Sequence, residues 1–362
     1  MLSKIFKARL LLETPNFYNK MRANNSHDVG VKEGLAREIC KYINLNSDDK
    51  VMVYYHPEFL HELVVNKKHN PENIWFITDH PQRKLYALEI CNIPSKNICC
   101  VKSKEEVLKG VQKIMNKKPK LKFDVIIGNP PYNEKSKSDK KSSKQKGNKN
   151  LCMEFVKHSM QLLRDEESLI AFVTPNHWIR NSNSIKKKLL QGSFVYANID
   201  SESIKTNYFP GIGSTFTYWV WKNCKGNNNI YFGDSKINID QSLVPISPNT
   251  TFEDWDFLNQ VSNENTKESL SWKRTDDIQK MDKTKHVLIV ERAFTKKGCY
   301  VWDGLTRPKG DWYFVEIDSK SDANHIMNYI KTDKIQRVLS LIKSGMAMTH
   351  EIKKVPLKDI SK

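Results

Sequence analysis

The chain has 362 residues, enough for two domains with full cores, and its 59 Lys+Arg against 41 Asp+Glu give a formal net charge of +18 and a pI near 9.4. That excess favours a polyanionic partner, nucleic acid above all. No apolar run reaches the roughly 18 residues of a spanning helix, which argues against a membrane protein.

The N-terminal stretch has too short and too charged an apolar segment for a signal peptide, so a cytoplasmic protein is expected. Seven cysteines, odd in number and without a C-x-x-C pair, read as reduced core thiols and not as a disulfide frame or zinc site. The ten histidines are scattered without ligand spacing, so no metal is expected.

Residues 30–43 carry Val31, Leu35, Ile39 and Ile43 at helical spacing. Residues 50–55 then read as a strand, 58–65 as the opening of a helix, and 74–79 as a second strand ending on an acid. Residues 81–90 read as helix, 97–101 as a short strand, and 104–115 as helix. Residues 123–132, Phe-Asp-Val-Ile-Ile-Gly-Asn-Pro-Pro-Tyr, begin as a fourth strand. Strands alternating with helices predict a doubly wound, mostly parallel α/β sheet of Rossmann-like type.

Residues 133–150 hold seven lysines and almost nothing apolar, a low-complexity loop. A helix over 151–163, a strand over 168–174 and the turn Pro175-Asn-His-Trp178 follow. A basic helix over 185–190 and strands over 195–199 and 215–221 complete this part. Beyond Asn227-Asn-Asn229 the alternation dissolves. Short β-like pieces at 287–290, 299–302 and 312–317, a helix near 324–343 and a basic tail predict a smaller C-terminal α+β domain. The expected boundary separates residues 1–225 from 226–362.

The decapeptide carries the most chemistry. Gly128 and two prolines end an apolar strand and stiffen the turn after it. Asn129 and Tyr132 are thereby presented at a strand's carboxyl end, where open α/β sheets bind ligands. A side-chain amide beside a stiff aromatic suits a flat ring carrying an amino group. The lone pair of such an amine is delocalised into the ring. Two acceptors on its N–H groups, the Asn129 side-chain oxygen and the Pro130 carbonyl, would favour the pyramidal form and free that lone pair. Tyr132 can stack on the face of a base taken out of the duplex. The competing reading is an ordinary Asn-Pro-Pro turn.

On these residues the chain resembles the adenine-N6 DNA methyltransferases with an Asn-Pro-Pro-Tyr motif, specifically those related to Eco57I-type restriction–modification methylases. The likeness extends to the Thr-Pro-Asn turn at 174–176 and the loop Phe209-Pro-Gly-Ile-Gly-Ser-Thr215, and covers roughly residues 30–222. It implies a methyltransferase fold and methyl transfer from S-adenosylmethionine to a flipped adenine in double-stranded DNA. It also implies a restriction–modification or phage DNA-modification setting, with room for a restriction endonuclease partner. Residues 1–225 would be the catalytic domain and 226–362 the target-recognition, DNA-binding domain. Asn129, Pro130, Pro131 and Tyr132 would form the catalytic turn. Oligomeric state and recognition sequence are not legible.

The donor half departs from the family pattern. Pro57 and Phe59 stand where glycines are expected after the first strand, with Tyr55 and His56 as candidate replacements. Asp79 matches the family's acid for the donor ribose, or caps the helix that starts at Pro81. DNA phosphates are expected to meet Lys135, Lys137, Lys140, Lys141, Lys144 and Lys146 of the loop, Lys186 and Lys187 of the basic helix, and Lys296, Lys297 and Arg307 among the aromatics of the second domain. Two other readings stay open: a catalytically silent methyltransferase-fold protein that binds DNA, and a methyltransferase acting on protein glutamine or RNA.

Overall fold

The computed structural model describes residues 33–102, 106–111, 121–132, 151–180, 183–210, 215–240, 243–245, 250–263, 272–275, 284–291, 298–302 and 312–342. Two compact units divide the chain, one of residues 1–178 and 187–236, the other of 179–186 and 237–362.

The first unit is built on a nine-stranded sheet. Its elements in chain order are α1 (Glu33–Cys40), β1 (Val51–Tyr54), α2 (Pro57–His61), β2 (Ile74–Thr78), α3 (Pro81–Glu89), β3 (Ile98–Cys100), β4 (Val125–Gly128), α4 (Leu151–Leu162) and β5 (Leu169–Thr174). There follow α5 (Ser184–Leu189), whose residues up to Lys186 fall in the second unit, then β6 (Ser193–Asn198), α6 (Ser201–Tyr208), β7 (Thr217–Lys222), β8 (Ile230–Phe232) and β9 (Ser235–Lys236). The strand order is β3-β2-β1-β4-β5-β7-β6-β8-β9. Strands β3 to β5 are parallel, and β7 runs antiparallel to both β5 and β6. This doubly wound, mostly parallel sheet, in which β7 and the edge strand β9 are reversed, is the methyltransferase fold expected from the sequence.

Both faces of the central strands are covered, which is why they read as unbroken apolar runs. Val51, Val53, Ile74, Phe76, Val125 and Ile127 face a core that includes Leu35 and Ile39 of α1 and Phe59 of α2. Their alternates lie among aromatics. Tyr54 meets Phe155 of α4 edge-on at 5.2 Å, and Phe172 meets Trp219 at 5.7 Å.

The order reverses between β1 and β4, since the chain lays β2 and β3 on one side of β1 and returns to place β4 on the other. Crevices at the carboxyl ends of such switch points are where these sheets bind ligands. Tyr54 of β1 pairs with Gly128 of β4 at that point. A Cβ on Gly128 would lie 2.7 Å from Tyr54 Cβ and 3.0 Å from the Tyr54 carbonyl oxygen. The glycine of the decapeptide is therefore a requirement of strand approach as well as of the turn.

Several elements differ from expectation. The first unit runs to Lys236, beyond the boundary expected at 225, because β8 pairs parallel with β6 and β9 turns back on β8. Helix α6 was not foreseen; Asp200 caps it by accepting from Ser203 N–H at 3.1 Å. The expected helix over 104–115 is described only at 106–111, where it is helical from 107. Cys100 is exposed and Cys99 and Cys224 are half-buried, so only Cys40, Cys91, Cys152 and Cys299 are core thiols.

In the second unit, β10 (Lys273–Thr275), β11 (His286–Glu291), β12 (Cys299–Val301) and β13 (Trp312–Ile317) form an antiparallel sheet in the order β10-β13-β11-β12. One face packs in a core with α7 (Phe252–Asn263), α8 (Lys320–Ile330) and α9 (Asp333–Ile342). The other carries Val287, Ile289 and Phe314, with Tyr300 and Trp302 packed against them. These aromatics serve a small second core. The single helix expected near 324–343 is two, broken at Lys331–Thr332. No helix among the described residues is long and apolar enough to cross a membrane.

Gly128→Ala is expected to cost about 1–3 kcal/mol through overpacking against Tyr54. It should lower the thermal midpoint of the first unit by several degrees in a calorimetric scan, leaving the second unit's transition in place.

Candidate active site

The turn after β4 is built as its sequence suggests. Asn129 is 4% exposed, next to the switch point, and its amide oxygen accepts a hydrogen bond from the Tyr132 hydroxyl at 2.8 Å. Pro130 and Pro131 fix φ across the turn, which holds residues 129 and 132 at a set separation. The Tyr132 ring is half-buried, and its centroid lies 5.9 Å from that of Phe216 at 54°. Phe216 in turn stacks on Phe209 at 4.3 Å. Burial pushes the Tyr132 phenol well above its ordinary range, with Cys152 adding to the shift and the Asn129 bond opposing it. Burial also raises the Cys152 thiol. The surroundings of Asn129 thus disfavour charge.

At the end of β1 the chain turns on Tyr55, whose φ is +68°. The His56 N–H reaches back to the Tyr54 carbonyl at 2.8 Å, which closes a γ-turn on Tyr55, and the Tyr55 N–H donates to the Ile77 carbonyl of β2 at 2.8 Å. A positive φ is the conformation that glycine adopts without strain. Tyr55 adopts it here, so the reversal expected of a glycine loop is made without one. His56 is 2% exposed, and its Nδ1 lies 3.9 Å from Glu58 Oε2. Pro57 and Phe59, the other departures from the glycine pattern, are buried in the first turn of α2.

Asp79 follows β2 and is half-buried. The cap of α3 is not Asp79 but His80, whose Nδ1 accepts from Gln82 N–H at 3.3 Å. The Cys100 thiol at the end of β3 is raised by its partial burial, with Lys84 opposing the shift and Asp79 adding to it.

A third polar group at this edge of the sheet was not singled out from sequence. Asn176, 8% exposed after β5, accepts from the Thr215 hydroxyl at 2.6 Å. Beneath it lies a closed network. The Thr217 hydroxyl donates to the Thr174 carbonyl at 3.0 Å and accepts from Trp178 Nε1 at 2.9 Å. The Thr174 hydroxyl, 3.0 Å from that of Thr217, accepts from Trp219 Nε1 at 3.0 Å. Thr174, Trp178, Thr217 and Trp219 are fully buried, so the turns after β5 and before β7 rest on a rigid, satisfied base.

Residues 4–205 match the model of the Eco57I restriction-modification methylase family, which is more than half of the chain. The chain belongs to the Eco57I restriction-modification methylase family. No curated protein sequence matches it. Among solved structures, a type I restriction-modification system methyltransferase subunit from Streptococcus thermophilus is 15% identical over 60% of this chain and 50% of its own, with a TM-score of 0.40. The EcoKI M protein of a type I restriction enzyme is 11% identical over 90% of this chain and 74% of its own, at 0.39. The DrdV–DNA complex is 14% identical over 63% and 30%, at 0.42. The chain spans about half the length of the first of these.

In this Eco57I-family chain the expected DNA-contacting residues divide. Lys187 is exposed, but Lys186 is 2% exposed and so does not stand on the surface as a phosphate contact should. Lys186 shares a helix face with Leu189, three residues on and buried, whereas Lys187 and Lys188 are exposed. Lys135, Lys137, Lys140, Lys141, Lys144, Lys146, Lys296, Lys297 and Arg307 lie outside the described residues.

Thr217→Val keeps the shape but strands the Trp178 N–H and the Thr174 hydroxyl. The denaturant midpoint should fall by an amount equivalent to about 1–3 kcal/mol, with little change in slope.

Proposed function

We propose that the chain is an S-adenosylmethionine-dependent DNA adenine-N6 methyltransferase of a restriction–modification or phage DNA-modification system. The observation that carries this reading is the buried Asn129 carboxamide at the carboxyl end of β4, beside the switch point. Asn129 Oδ1 and the Pro130 carbonyl are suited to accept the two N–H groups of a planar amine. Both acceptors are uncharged, so they survive in a site that disfavours ions. The Tyr132 ring supports a stacking role at the site's edge, alongside Phe216.

The donor, when bound, supplies a methyl group on a sulfonium centre, already activated without a base. The residues present fit it in kind. Asp79 offers a carboxylate for two hydroxyls. The turn at Tyr55 and His56 takes the place of a glycine loop. On transfer one C–S bond breaks and one C–N bond forms, and the excess proton of the amine passes to water. The net charge of +18 and the exposed Lys187 and Lys188 suit a DNA backbone.

The donor-silent DNA-binding reading draws on one observation: side chains 51–60 are all buried, with no glycine among them. Titration calorimetry with S-adenosylmethionine decides between the two. A saturable, stoichiometric signal excludes the silent protein. Asp79→Ala is expected to weaken that signal about tenfold or more, while DNA affinity stays near the parent's.

Labelled methyl groups should enter unmodified DNA, and sequencing should place them on adenine. Asn129→Ala is expected to lower the rate by about 10²–10³-fold. A parent that incorporates no label, with Asn129→Ala indistinguishable from it, would overturn the enzymatic reading.

A further inference from the structure

Asn129 carries an acceptor whose direction has to be fixed. The terminal torsion of an asparagine is soft, and its oxygen and nitrogen are similar in shape but opposite in role. A carboxamide swung aside, or turned with its NH₂ toward an amine, would repel the group it is meant to hold. Something in the site must hold the amide in place.

The Tyr132 hydroxyl meets that need. It donates to Asn129 Oδ1 at 2.8 Å, three residues along a turn stiffened by two prolines. The ring that carries it is held beside Phe216, which is itself stacked on Phe209. That bond fixes which way the Asn129 oxygen faces and sets the plane of the amide. Burial of the phenol keeps it protonated, so it remains a donor through the neutral and alkaline range.

We propose that Tyr132 acts through its hydroxyl as a positioning residue that holds the Asn129 carboxamide ready to accept one N–H of a planar exocyclic amine. This rests on the methyltransferase reading of the same site and adds to it. The ring of Tyr132 serves the base face; the hydroxyl serves Asn129. The two contributions separate in mutants.

Tyr132→Phe keeps the ring and removes only the hydroxyl. On unmodified DNA its kcat should fall about tenfold, the value of one lost hydrogen bond expressed at the reacting group. KM for DNA and for the donor should stay within about twofold, since neither stacking nor donor contacts change. Tyr132→Ala should raise KM for DNA as well. A merely structural role would move the thermal midpoint of Tyr132→Phe and leave the split between kcat and KM unmoved. An active parent with Tyr132→Phe at parental kcat overturns the inference while the methyltransferase reading stands. A parent without methyl transfer overturns that reading instead. The inference is then decided by spectra of the full chain labelled with ¹⁵N-asparagine, in which the Asn129 side-chain signal is assigned by its loss in Asn129→Ala. That signal should shift in Tyr132→Phe; an unmoved signal overturns the inference.

Discussion

The pairing of Tyr54 with Gly128 is the constraint on which the site depends. These residues end β1 and β4, the two strands between which the sheet reverses its order. Their backbones approach so closely that no Cβ fits on residue 128. One strand then turns on Tyr55, at the proposed donor side, and the other on Asn129, at the proposed base side. Both turns start from the same rung of the ladder. The separation of the two half-sites is therefore set by main-chain hydrogen bonds and not by loop side chains, which gives the precision a transfer between two bound molecules needs.

The two half-sites solve the same backbone problem differently. After β4 the chain uses residues whose φ is fixed by a ring, so the turn is rigid by covalent structure. After β1 it uses a tyrosine in a region that favours glycine, so the turn is strained and held by what surrounds it. The hydrogen bonds to Tyr54 and Ile77 supply part of that hold. The burial of His56, Pro57, Glu58 and Phe59 supplies more. Strain kept by burial is a feature of functional turns, and it gives the missing glycines a physical replacement.

The legible parts of the sequence were those where one residue class dictates one conformation. The apolar runs 51–54, 74–78, 125–128 and 169–174 became strands because burial on both faces leaves no alternation to misread. The Asn-Pro-Pro-Tyr turn was legible because proline removes freedom. What escaped were features set by partners distant in sequence. Helix α6, Ser-Glu-Ser-Ile-Lys-Thr-Asn-Tyr, has only Ile204 and Ser201 buried, so its apolar period is too sparse to show. The strands β8 and β9 are too short to carry a pattern of their own and exist by pairing with β6 and with each other. The positive φ of Tyr55 could not be inferred from a residue that rarely adopts it. The bond between Asn176 and Thr215 joins residues 39 apart. Lys186 shows the limit of composition: charge belongs to the chain, but whether a lysine faces water is settled by its place on the helix.

A carboxylate is the stronger acceptor for an N–H, yet the site carries a carboxamide, and the neighbours of Asn129 explain why. The Tyr132 phenol and the Cys152 thiol are both shifted toward their neutral forms, mainly by burial. An aspartate at position 129, 4% exposed, would feel the same penalty and be pushed toward its protonated form. One of its two oxygens would then carry a proton, leaving the carbonyl oxygen alone as an acceptor. The amide has no proton to gain and stays an acceptor at every ordinary pH. The low polarity that makes the site costly for ions also strengthens each hydrogen bond made within it. A neutral acceptor in a buried turn, oriented by a phenol that burial keeps protonated, is thus a self-consistent set. Removing the burial would weaken the acceptor and its orienting donor together.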